Sequence, residues 1–494
     1  MRPREIKAKR ARRARPTVSA RVTGHVTLEA QANGTIIACF DGYSVDLGRF
    51  SADAAERAQD LRTGLPLAAF ASGTREVDQE IQVLVRRLAR RGLLEYHLQR
   101  SRSDGDLVVI EPQVADYWPA TPQLDNADVL VLSRFAYMRR RGNEMVLESP
   151  RAGALFKICN PKIASTITTL STPQQIKQLR RQESFPGVEF LALLVDCEIL
   201  FKIDVAGERG LRSTEGDHNL VLWDFHDLLF HTRSTEGRQA NPLGGLYPYA
   251  DVMPPPPAVR PRWRGKKIDL REFADKHSEA ASPVAKLLHE RHSTRSFDDR
   301  NPISLAELSR FLDNTARVQS RWSSTVDLGD ARPLVEHAVR PYPSAGASYE
   351  LELYLAVDKC EGLARGFYHY DAGGHALVSI GARTQQLEAL LTAAKFAMDA
   401  PAAPQILITI AARFGRISWK YSALAYALIL KNVGVLMQTF YLVATDMELG
   451  GCAIGSTNIE LFAKMTGLKF HVEGPVGQFA LGRGTTSSDS DLTT

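Results

Sequence analysis

Two arginines and two hydroxyl residues stand close together in the segment Arg291-His-Ser-Thr-Arg295. Arginine offers forked, charge-assisted hydrogen bonds and serine and threonine add short neutral ones, so this composition suits a phosphate monoester. A short helix is predicted just before it, over residues 283–290, and a capping box formed by Ser304 and Glu307 begins the next helix. Arginine-rich surface turns are common, so the segment gains meaning only from the motifs that follow it.

A second motif, Tyr342-Pro-Ser-Ala-Gly346, precedes the alternating sequence Tyr349–Val357, which predicts a β-strand. A serine and a glycine in a tight turn let the backbone approach a flat ring closely, because glycine has no Cβ. Neither a GxGxxG sequence after a strand nor a GxxxxGK[ST] sequence occurs in the chain. A Rossmann dinucleotide domain and a P-loop are therefore unsupported.

The sequence Trp419-Lys-Tyr421 follows a predicted strand over residues 405–411. A helix that is apolar nearly all round is predicted from about Tyr421 to Thr445, and such a helix is usually buried. It suits the central helix of an obligate dimer. Polar residues interrupt its apolar run and argue against a membrane span, namely Lys431, Asn432 and Gln438.

Taken in order, these motifs resemble the nitroreductase-fold flavoenzymes. More narrowly, they resemble the azoline dehydrogenases, the branch that oxidises heterocycles in ribosomally made peptides. The resemblance covers about residues 220–485 and implies an α+β fold with a central antiparallel sheet flanked by helices. It also implies FMN as the cofactor and a homodimer whose flavins lie at the subunit interface. The motifs that carry it are Arg291-His-Ser-Thr-Arg295, Tyr342-Pro-Ser-Ala-Gly346, Gly366-Phe-Tyr-His-Tyr-Asp371 and Trp419-Lys-Tyr421.

The same resemblance assigns cofactor roles to individual residues and implies no metal ligand. Four residues would hold the FMN phosphate, with the last of them closing on it from near the C-terminus: Arg291, Ser293, Arg295 and Arg483. Three others would meet the flavin ring, the first two often from the partner subunit: Ser344, Gly346 and Gly455.

Lys420 and Tyr421 match the pair that distinguishes azoline oxidases from ordinary nitroreductases. Converting an azoline to an azole removes a proton from one ring carbon and a hydride from its neighbour, so the protein must supply a base. A neighbouring ammonium favours phenolate, which makes Tyr421 the expected base and Lys420 its partner or a group that polarises the substrate. Consecutive helical residues point about 100° apart, so both face one site only near a helix start. The alternative is a snorkelling lysine beside a core tyrosine.

The first half of the chain contains an internal repeat. Residues 26–40 predict a β-hairpin with Asn33-Gly34 as its turn. Residues 146–159 have the same spacing of matching residues, and Gly153 corresponds to Gly34. Helical sequence ending in an apolar strand follows each hairpin, and the first helix spans Val77–Arg90. Both blocks look like winged-helix-type units and resemble the precursor-peptide recognition domains of the azoline dehydrogenases.

Such units bind peptides by strand addition or DNA through a recognition helix. Peptide binding is favoured here, with a purely structural role and DNA binding as alternatives. The DNA alternative depends on an arginine cluster that a solvated helix face explains equally well: Arg86, Arg87, Arg90 and Arg91.

The bulk composition is that of a globular protein, with 44% hydrophobic and 24% charged residues. The net charge of +5 comes from the arginine-rich residues 1–16, for which we expect a solvated, disordered tail, with contact to nucleic acid or an acidic partner as the alternative. The five cysteines form neither a zinc pattern nor a closed disulfide set, and no secretory signal is recognisable. A cytoplasmic location is therefore expected.

Prolines around Pro254–Pro257 predict an extended connector between the two halves. The predicted organisation is a disordered basic tail (1–20), two winged-helix-like units (21–125 and 126–215), the Pro-rich connector (216–282), the nitroreductase-like FMN domain (283–485) and a disordered tail (486–494).

The predicted function is FMN-dependent oxidation of azoline rings to thiazoles or oxazoles in a heterocyclised precursor peptide. The expected partners are that peptide, an ATP-dependent cyclodehydratase of the same pathway and a second copy of the chain, whereas a membrane or nucleic acid is not expected. The first alternative is an NAD(P)H-dependent nitro or quinone reductase on the same fold. The second is a peptide-binding scaffold whose flavin half is degenerate.

Overall fold

The structure, a computed structural model, describes residues 15–100, 105–115, 117–203, 215–240, 243–274 and 282–485. The chain divides into two compact units, Met1–Arg233 with Gly237–Ala240 and Ser234–Glu236 with Asn241–Thr494. Both predicted tails fall largely outside the described residues. The first tail was predicted to extend too far, because a strand already begins at Thr17.

The first unit alternates short strands with short helices. Its strands are β1 (Thr17–Val22), β2 (Thr27–Ala30), β3 (Thr35–Phe40), β4 (Tyr43–Arg49), β5 (Leu65–Pro66), β6 (Leu94–Gln99), β7 (Val108–Pro112), β8 (Val129–Leu132), β9 (Tyr137–Arg141), β10 (Glu144–Glu148), β11 (Ala154–Ile158), β12 (Gln174–Gln175) and β13 (Leu200–Ile203). Its helices are α1 (Ala52–Ala58), α2 (Glu76–Arg90), α3 (Pro161–Thr169), α4 (Ile176–Leu179), α5 (Val188–Asp196) and α6 (Phe225–Arg233).

The internal repeat is present in the strand order. In the first block β1 lies between β5 and β6, and in the second block β8 lies between β12 and β13. Each block also has a three-stranded meander, β2-β3-β4 and β9-β10-β11. The hairpin β10–β11 is therefore equivalent to β3–β4. The sequence analysis had matched it to β2–β3, which is one strand too early. Hairpins with the same apolar alternation look alike, and only the pairing of the first strand distinguishes them.

The two blocks do not form separate sheets, which corrects the predicted division into two units. Strand β7 of the first block pairs with β11 of the second, and Ile110 lies opposite Phe156 in that pairing. The result is one seven-stranded sheet in the order β5-β1-β6-β7-β11-β10-β9. Both of these residues are fully buried, so the shared sheet also shares a core.

Helix α2 matches the prediction, and its arginines are engaged within the unit. The guanidinium of Arg86 lies 4.5 Å from the ring centroid of Trp118. Arg87 donates to the carbonyl of Leu47, and Arg91 donates to the carbonyl of Arg87. Arginines that pack on rings and bond to backbone are less available for phosphates, which weakens the DNA-binding alternative.

The predicted connector begins too early. Residues 218–222 form a 3-10 helix and α6 follows, and both belong to the first unit because Leu220, Trp223 and Leu228 are buried. Arg134 fastens this segment by donating to the carbonyl of Trp223 across 2.9 Å. From 243 to 270 the described chain has no regular helix or strand, as the prolines predict.

The second unit is an α+β domain. Its strands are β14 (Ser320–Thr325), β15 (Leu334–Val339), β16 (Leu351–Val357), β17 (Gly366–Asp371), β18 (Ala376–Ile380), β19 (Ile406–Arg413), β20 (Gly450–Ile454) and β21 (Glu473–Gly482). Its helices are α7 (Arg271–Ala274), α8 (Pro283–Glu290), α9 (Leu305–Ala316), α10 (Thr384–Ala397), α11 (Phe414–Ser418), α12 (Ala425–Asp446) and α13 (Ile459–Thr466).

Six of these strands form an antiparallel sheet in the order β18-β17-β16-β19-β21-β20. Alternate residues of β21 face opposite layers, as the pleat requires. Phe479 packs on Phe440 of α12, whereas the adjacent Ala480 belongs to the cluster built by α10 and α13. Helices therefore cover both faces, which confirms the predicted α+β class. Strands β14 and β15 form a separate hairpin.

Helix α12 packs against α8, α9, β20 and β21. Its length and apolar composition would also satisfy a membrane span, but a core helix of a soluble protein passes the same test. It is not buried all round as predicted: Asn432 is buried, whereas Ala427, Lys431, Val435 and Gln438 are exposed along one face. The helix begins at Ala425 and not at Tyr421.

Candidate active site

The predicted phosphate segment lies directly after α8. The amide of Thr294 donates to the carbonyl of Gly451 across 2.8 Å, which fixes the segment beside β20. The hydroxyl of Ser293 lies 2.8 Å from the hydroxyl of Tyr441 on α12. Above that ring stands the guanidinium of Arg291, 4.9 Å from its centroid.

Arg295 lies near the same cluster, because its charge acts on the thiol of Cys452, which also interacts with Ser293. Burial raises the pKa of the neighbouring Cys452 thiol, while the charge of Arg295 and hydrogen bonds with Ser293 and Tyr441 act against that rise. Ser293 and Arg295 are thus both close to the thiol of Cys452 in β20. Arg291 lies over the ring of Tyr441, which contacts Ser293. The structure brings these three predicted phosphate residues together.

The two guanidinium groups of this cluster have unused donors. Within the described part of the chain, neither Arg291 nor Arg295 makes a side-chain hydrogen bond or ion pair with a carboxylate. Unused cationic donors next to a hydroxyl are what a phosphate group requires. The residues present therefore fit the phosphate of FMN.

Tyr441 belongs to this site and was missed by the sequence analysis. Besides meeting Ser293, its hydroxyl accepts a hydrogen bond from the amide of Ala453 across 2.8 Å. It thereby links α12, β20 and the phosphate segment. A tyrosine in an otherwise apolar helix was the available signal, but core tyrosines are too common for that signal to be specific.

A second cluster forms where Lys420 and Tyr421 meet the turn at Gly346. The ammonium of Lys420 donates to the carbonyl of Gly346 across 3.2 Å and stands 5.4 Å from the ring centroid of Tyr421. Gly346 has φ 57°, and a Cβ at this position would collide with both the Tyr421 hydroxyl and the Lys420 ammonium. Three predicted site residues therefore converge on one point.

The pair lies in the loop between α11 and α12, four residues before the long helix begins. The amides of Lys420 and Tyr421 both bond to the carbonyl of Ile417, so the pair continues the last turn of α11. Lys420 is exposed and Tyr421 is half-buried. Tyr421 is thus not a core residue, and the loop lets both side chains reach the same glycine.

A network of buried hydrogen bonds holds the turn that carries Gly346. Asn432 of α12 donates to Glu350 across 2.8 Å and to the Ser344 hydroxyl across 3.2 Å, and it accepts the amide of Ala345 at 3.1 Å. Glu350 is fully buried, and burial raises the pKa of its carboxyl against the opposing hydrogen bonds from Asn432 and Ser344. The sequence analysis treated Asn432 only as a polar interruption of the apolar helix, and it did not consider Glu350.

Ser344 is occupied by this network. Its hydroxyl accepts the amide of Tyr349 at 3.0 Å and donates to Glu350 at 3.2 Å. Any contact of this residue with a flavin would therefore come from its backbone, and the predicted role of its side chain stays a prediction.

The side chain of Arg483 is hydrogen-bonded to Asn301 and Glu307 and to neither of these clusters. The guanidinium of Arg483 donates to both carboxylate oxygens of Glu307 at 2.8 Å. Burial by itself raises the pKa of Glu307, but hydrogen bonds from Ser304 and Arg483 lower it to about 2. Arg483 would have to leave this carboxylate to close on a phosphate, so that role stays a prediction. Gly455 is exposed at the end of β20, with open space where a side chain would stand.

Comparisons with known proteins agree with this architecture. The family model described as "Nitroreductase family" matches residues 288–483, and the model described as "Cyanobactin oxidase ThcOx" matches residues 130–240. The curated "Putative nitroreductase MJ1384" of Methanocaldococcus jannaschii is 31% identical over 170 residues, which cover 34% of this chain and 77% of that protein.

Two solved structures are similar to this chain at low identity. The Escherichia coli microcin synthetase McbBCD complex with truncated pro-MccB17 bound is 20% identical and covers 57% of this chain and 100% of that chain, with a TM-score of 0.37. A nitroreductase family protein from Clostridium difficile is 14% identical and covers 42% of this chain and 88% of that chain, with a TM-score of 0.27. Similarities this weak carry no argument of their own.

The two family models confirm the resemblance on which the sequence analysis relied. The nitroreductase match covers both clusters of the site, from Arg291 to Arg483. The cyanobactin-oxidase match lies in the first half of the same chain, before the nitroreductase match. With the curated relative, these matches show that the chain belongs to the nitroreductase family of oxidoreductases.

Proposed function

We propose that this chain is an FMN-dependent oxidase that converts azoline rings to thiazoles or oxazoles in a heterocyclised, ribosomally made precursor peptide, with O2 as the final acceptor. The observation that carries the proposal is the convergence of Lys420 and Tyr421 on Gly346. The match of residues 130–240 to a cyanobactin-oxidase model supports a modified peptide as the substrate class.

FMN would be held through its phosphate by Arg291, Ser293 and Arg295, in which the two guanidinium groups have unused donors and the Ser293 hydroxyl is positioned by Tyr441. Gly346 and Gly455 would let the backbone approach the flavin ring, because neither carries a side chain. When bound, FMN supplies the acceptor for the hydride that leaves the azoline.

The chain itself supplies the base. The Tyr421 oxygen would take the proton from the ring carbon next to the one that loses hydride. The ammonium of Lys420 lies 5.4 Å from the centroid of the same ring, which places a positive charge beside the proposed base. Its hydrogen bond to the carbonyl of Gly346 holds it in place, so the pair keeps its geometry in an exposed loop.

A nitro or quinone reductase that uses NAD(P)H is the second candidate. The 31% identity to a protein described as a nitroreductase favours it. It shares the phosphate cluster but has no use for a base, so Lys420 and Tyr421 separate the two functions. The third candidate function is a peptide-binding scaffold whose flavin half is degenerate. It predicts that the purified protein stays colourless after FMN is added.

The proposed partners are the precursor peptide and a cyclodehydratase of the same pathway, in the cytoplasm. We also propose a homodimer. The exposed face of α12, lined by Ala427, Lys431, Val435 and Gln438, is available for a second copy, since it continues a helix that is otherwise core.

Mass spectrometry tests the proposed reaction. A heterocyclised peptide incubated with the chain, FMN and air should lose about 2 Da per ring as two hydrogens leave. Tyr421→Phe and Lys420→Gln should each reduce this loss by about 100-fold or more, the usual contribution of a general base. Tyr249→Phe, which removes the hydroxyl of a largely exposed tyrosine, is the matched control and should leave it unchanged. NAD(P)H consumption with nitroarenes that survives Tyr421→Phe would favour the reductase instead.

A further inference from the structure

We infer that the second unit carries a separate binding site, a cavity of about 700 Å³ that takes a carboxylate-bearing peptide segment. The cavity lies between the hairpin β14–β15 and the sheet residues near the start of β21. Its volume is that of a ligand pocket and exceeds what a small inorganic anion needs. The inference rests on the proposed function for calling the ligand a part of the substrate peptide, whereas the site itself rests on the contacts below.

One wall of the cavity is aromatic. The rings of Trp322 on β14 and His337 on β15 are stacked, with centroids 5.3 Å apart and an interplanar angle of 19°. Trp322 remains 47% exposed in spite of this contact, so one face of its ring is open. Tyr349 and Tyr354 also line the cavity. Flat apolar faces of this kind suit a planar side chain or a peptide backbone.

Two half-buried carboxylates that line the cavity, those of Glu352 and Glu473, already have partners. Glu352 stands 3.5 Å from His369, 3.6 Å from Arg413 and 3.8 Å from Arg340. Glu473 accepts a hydrogen bond from Tyr354 at 2.6 Å. Burial raises the pKa of the Glu473 carboxyl, while the hydrogen bond from Tyr354 acts against that rise.

The cationic donors, in contrast, are under-used. Arg413 makes no side-chain hydrogen bond in the described part of the chain, since its distance to Glu352 is too long for one. Arg321 has neither a hydrogen bond nor an ion pair among the described residues. Arg340 differs from these two, because its side chain is only 8% exposed and donates to the carbonyl of Leu351 at 3.0 Å.

The cavity shares a wall with the catalytic turn. Ser348 and Tyr349 line it, and they follow Gly346 in the same turn. Arg416 of α11 donates to the carbonyl of Ser348 at 2.9 Å and to the carbonyl of Glu336 at 2.6 Å, which ties the turn to the hairpin. A peptide that presents its ring to Tyr421 would therefore have a neighbouring segment within reach of the cavity. The exposed carboxylate of Glu336 also lines the cavity, and its charge disfavours a second acidic residue of the peptide next to it.

Calorimetric titration of the full chain with short synthetic peptides tests the site without any oxidation. The probes are Ac-Gly-Phe-Gly-Asp-NH2, its asparagine counterpart Ac-Gly-Phe-Gly-Asn-NH2, and Ac-Gly-Phe-Gly-Asn-OH with a free terminal carboxylate. None contains an azoline, so failure of the proposed reaction leaves this result untouched. We expect at least one carboxylate peptide to bind about tenfold more tightly than the neutral one. The two acidic probes show whether a side chain or a chain terminus supplies the carboxylate.

Substitutions locate the binding in the cavity. Arg413→Gln and Arg321→Gln should each weaken the acidic peptide about threefold to tenfold and leave the neutral one unchanged. Trp322→Ala should weaken both. Arg332→Gln is the matched control, because this arginine lies on the same hairpin loop and pairs with Asp327 at 3.2 Å, outside the cavity. Equal binding of acidic and neutral peptides, no binding of either, or equal losses in Arg332→Gln and Arg413→Gln would overturn the inference.

Discussion

The hydroxyl of Ser293 lies 2.8 Å from the hydroxyl of Tyr441, and this contact joins the proposed phosphate segment to the long core helix. The same tyrosine receives the amide of Ala453, so one phenol connects three elements around the site. The proposed phosphate segment is therefore positioned by a contact with the core helix.

Replacing this phenol should loosen the cofactor. Tyr441→Phe keeps the ring under Arg291 but removes both hydrogen bonds, each worth about 1 kcal/mol. We expect FMN affinity to fall about tenfold, measured by flavin fluorescence titration, with no loss of folded protein by circular dichroism. Thr439→Val removes a hydroxyl of the same helix that donates only to the carbonyl of Val435, and it should leave the affinity unchanged. An unaltered affinity in Tyr441→Phe would contradict the proposed site.

A side chain at position 346 should separate cofactor binding from turnover. Gly346→Ala places a Cβ against the ends of Lys420 and Tyr421 and imposes a left-handed conformation on alanine. We expect azoline oxidation to fall more than tenfold while FMN affinity, set by the phosphate cluster, changes little. Steady-state turnover and flavin titration measure the two effects. Gly381→Ala meets no atoms within 4 Å and serves as the control. Full turnover in Gly346→Ala would exclude a role for the converged pair.

The pair formed by Arg483 and Glu307 should make stability depend on pH in the acid range. The pKa of Glu307 is lowered to about 2 from its ordinary value of 4.5, so the folded state gains stability above pH 4.5 and loses it as pH falls toward 2. Because both side chains are about one quarter exposed, we expect a contribution of about 1–2 kcal/mol. Thermal unfolding of Glu307→Gln should show a lower Tm than the parent at pH 7 and a smaller difference at pH 3. A Tm difference that is independent of pH would contradict the assignment.

The buried network under the catalytic turn should be costly to break on one side only. Asn432→Leu leaves the carboxyl of Glu350 buried without its main donor, so we expect a loss of about 2–4 kcal/mol in chemical denaturation. The double variant Asn432→Leu with Glu350→Leu removes both polar groups and should recover part of that loss. Additive losses in the double variant would show that the two side chains do not act together.

Local sequence was sufficient for several elements. The capping box of Ser304 and Glu307, the turn at Gly34 and the helix ending at Arg90 all occur as predicted. Each depends on hydrogen bonds or apolar spacing within a few residues, and such interactions can be recognised in a linear pattern. Lys420 and Tyr421 could be singled out in the same way, because they are adjacent.

Other features could not be obtained from local patterns. The pairing of β7 with β11 joined two blocks that look separate in sequence, and burial of Leu220 and Leu228 placed part of the predicted connector in the first unit. The contact between Arg483 and Glu307 could not be foreseen either, since Glu307 lies far from Arg483 in the chain.

By itself, the sequence determined which residue types are available for chemistry, namely guanidinium groups beside hydroxyls and an ammonium beside a phenol. Tertiary structure alone decided which of them meet. It set Tyr441 against Ser293, brought Gly346 to Lys420 and Tyr421, and occupied Arg483 with Glu307. The reason is that these contacts join residues distant in the chain, and their geometry depends on how the sheet and α12 pack together rather than on any local spacing.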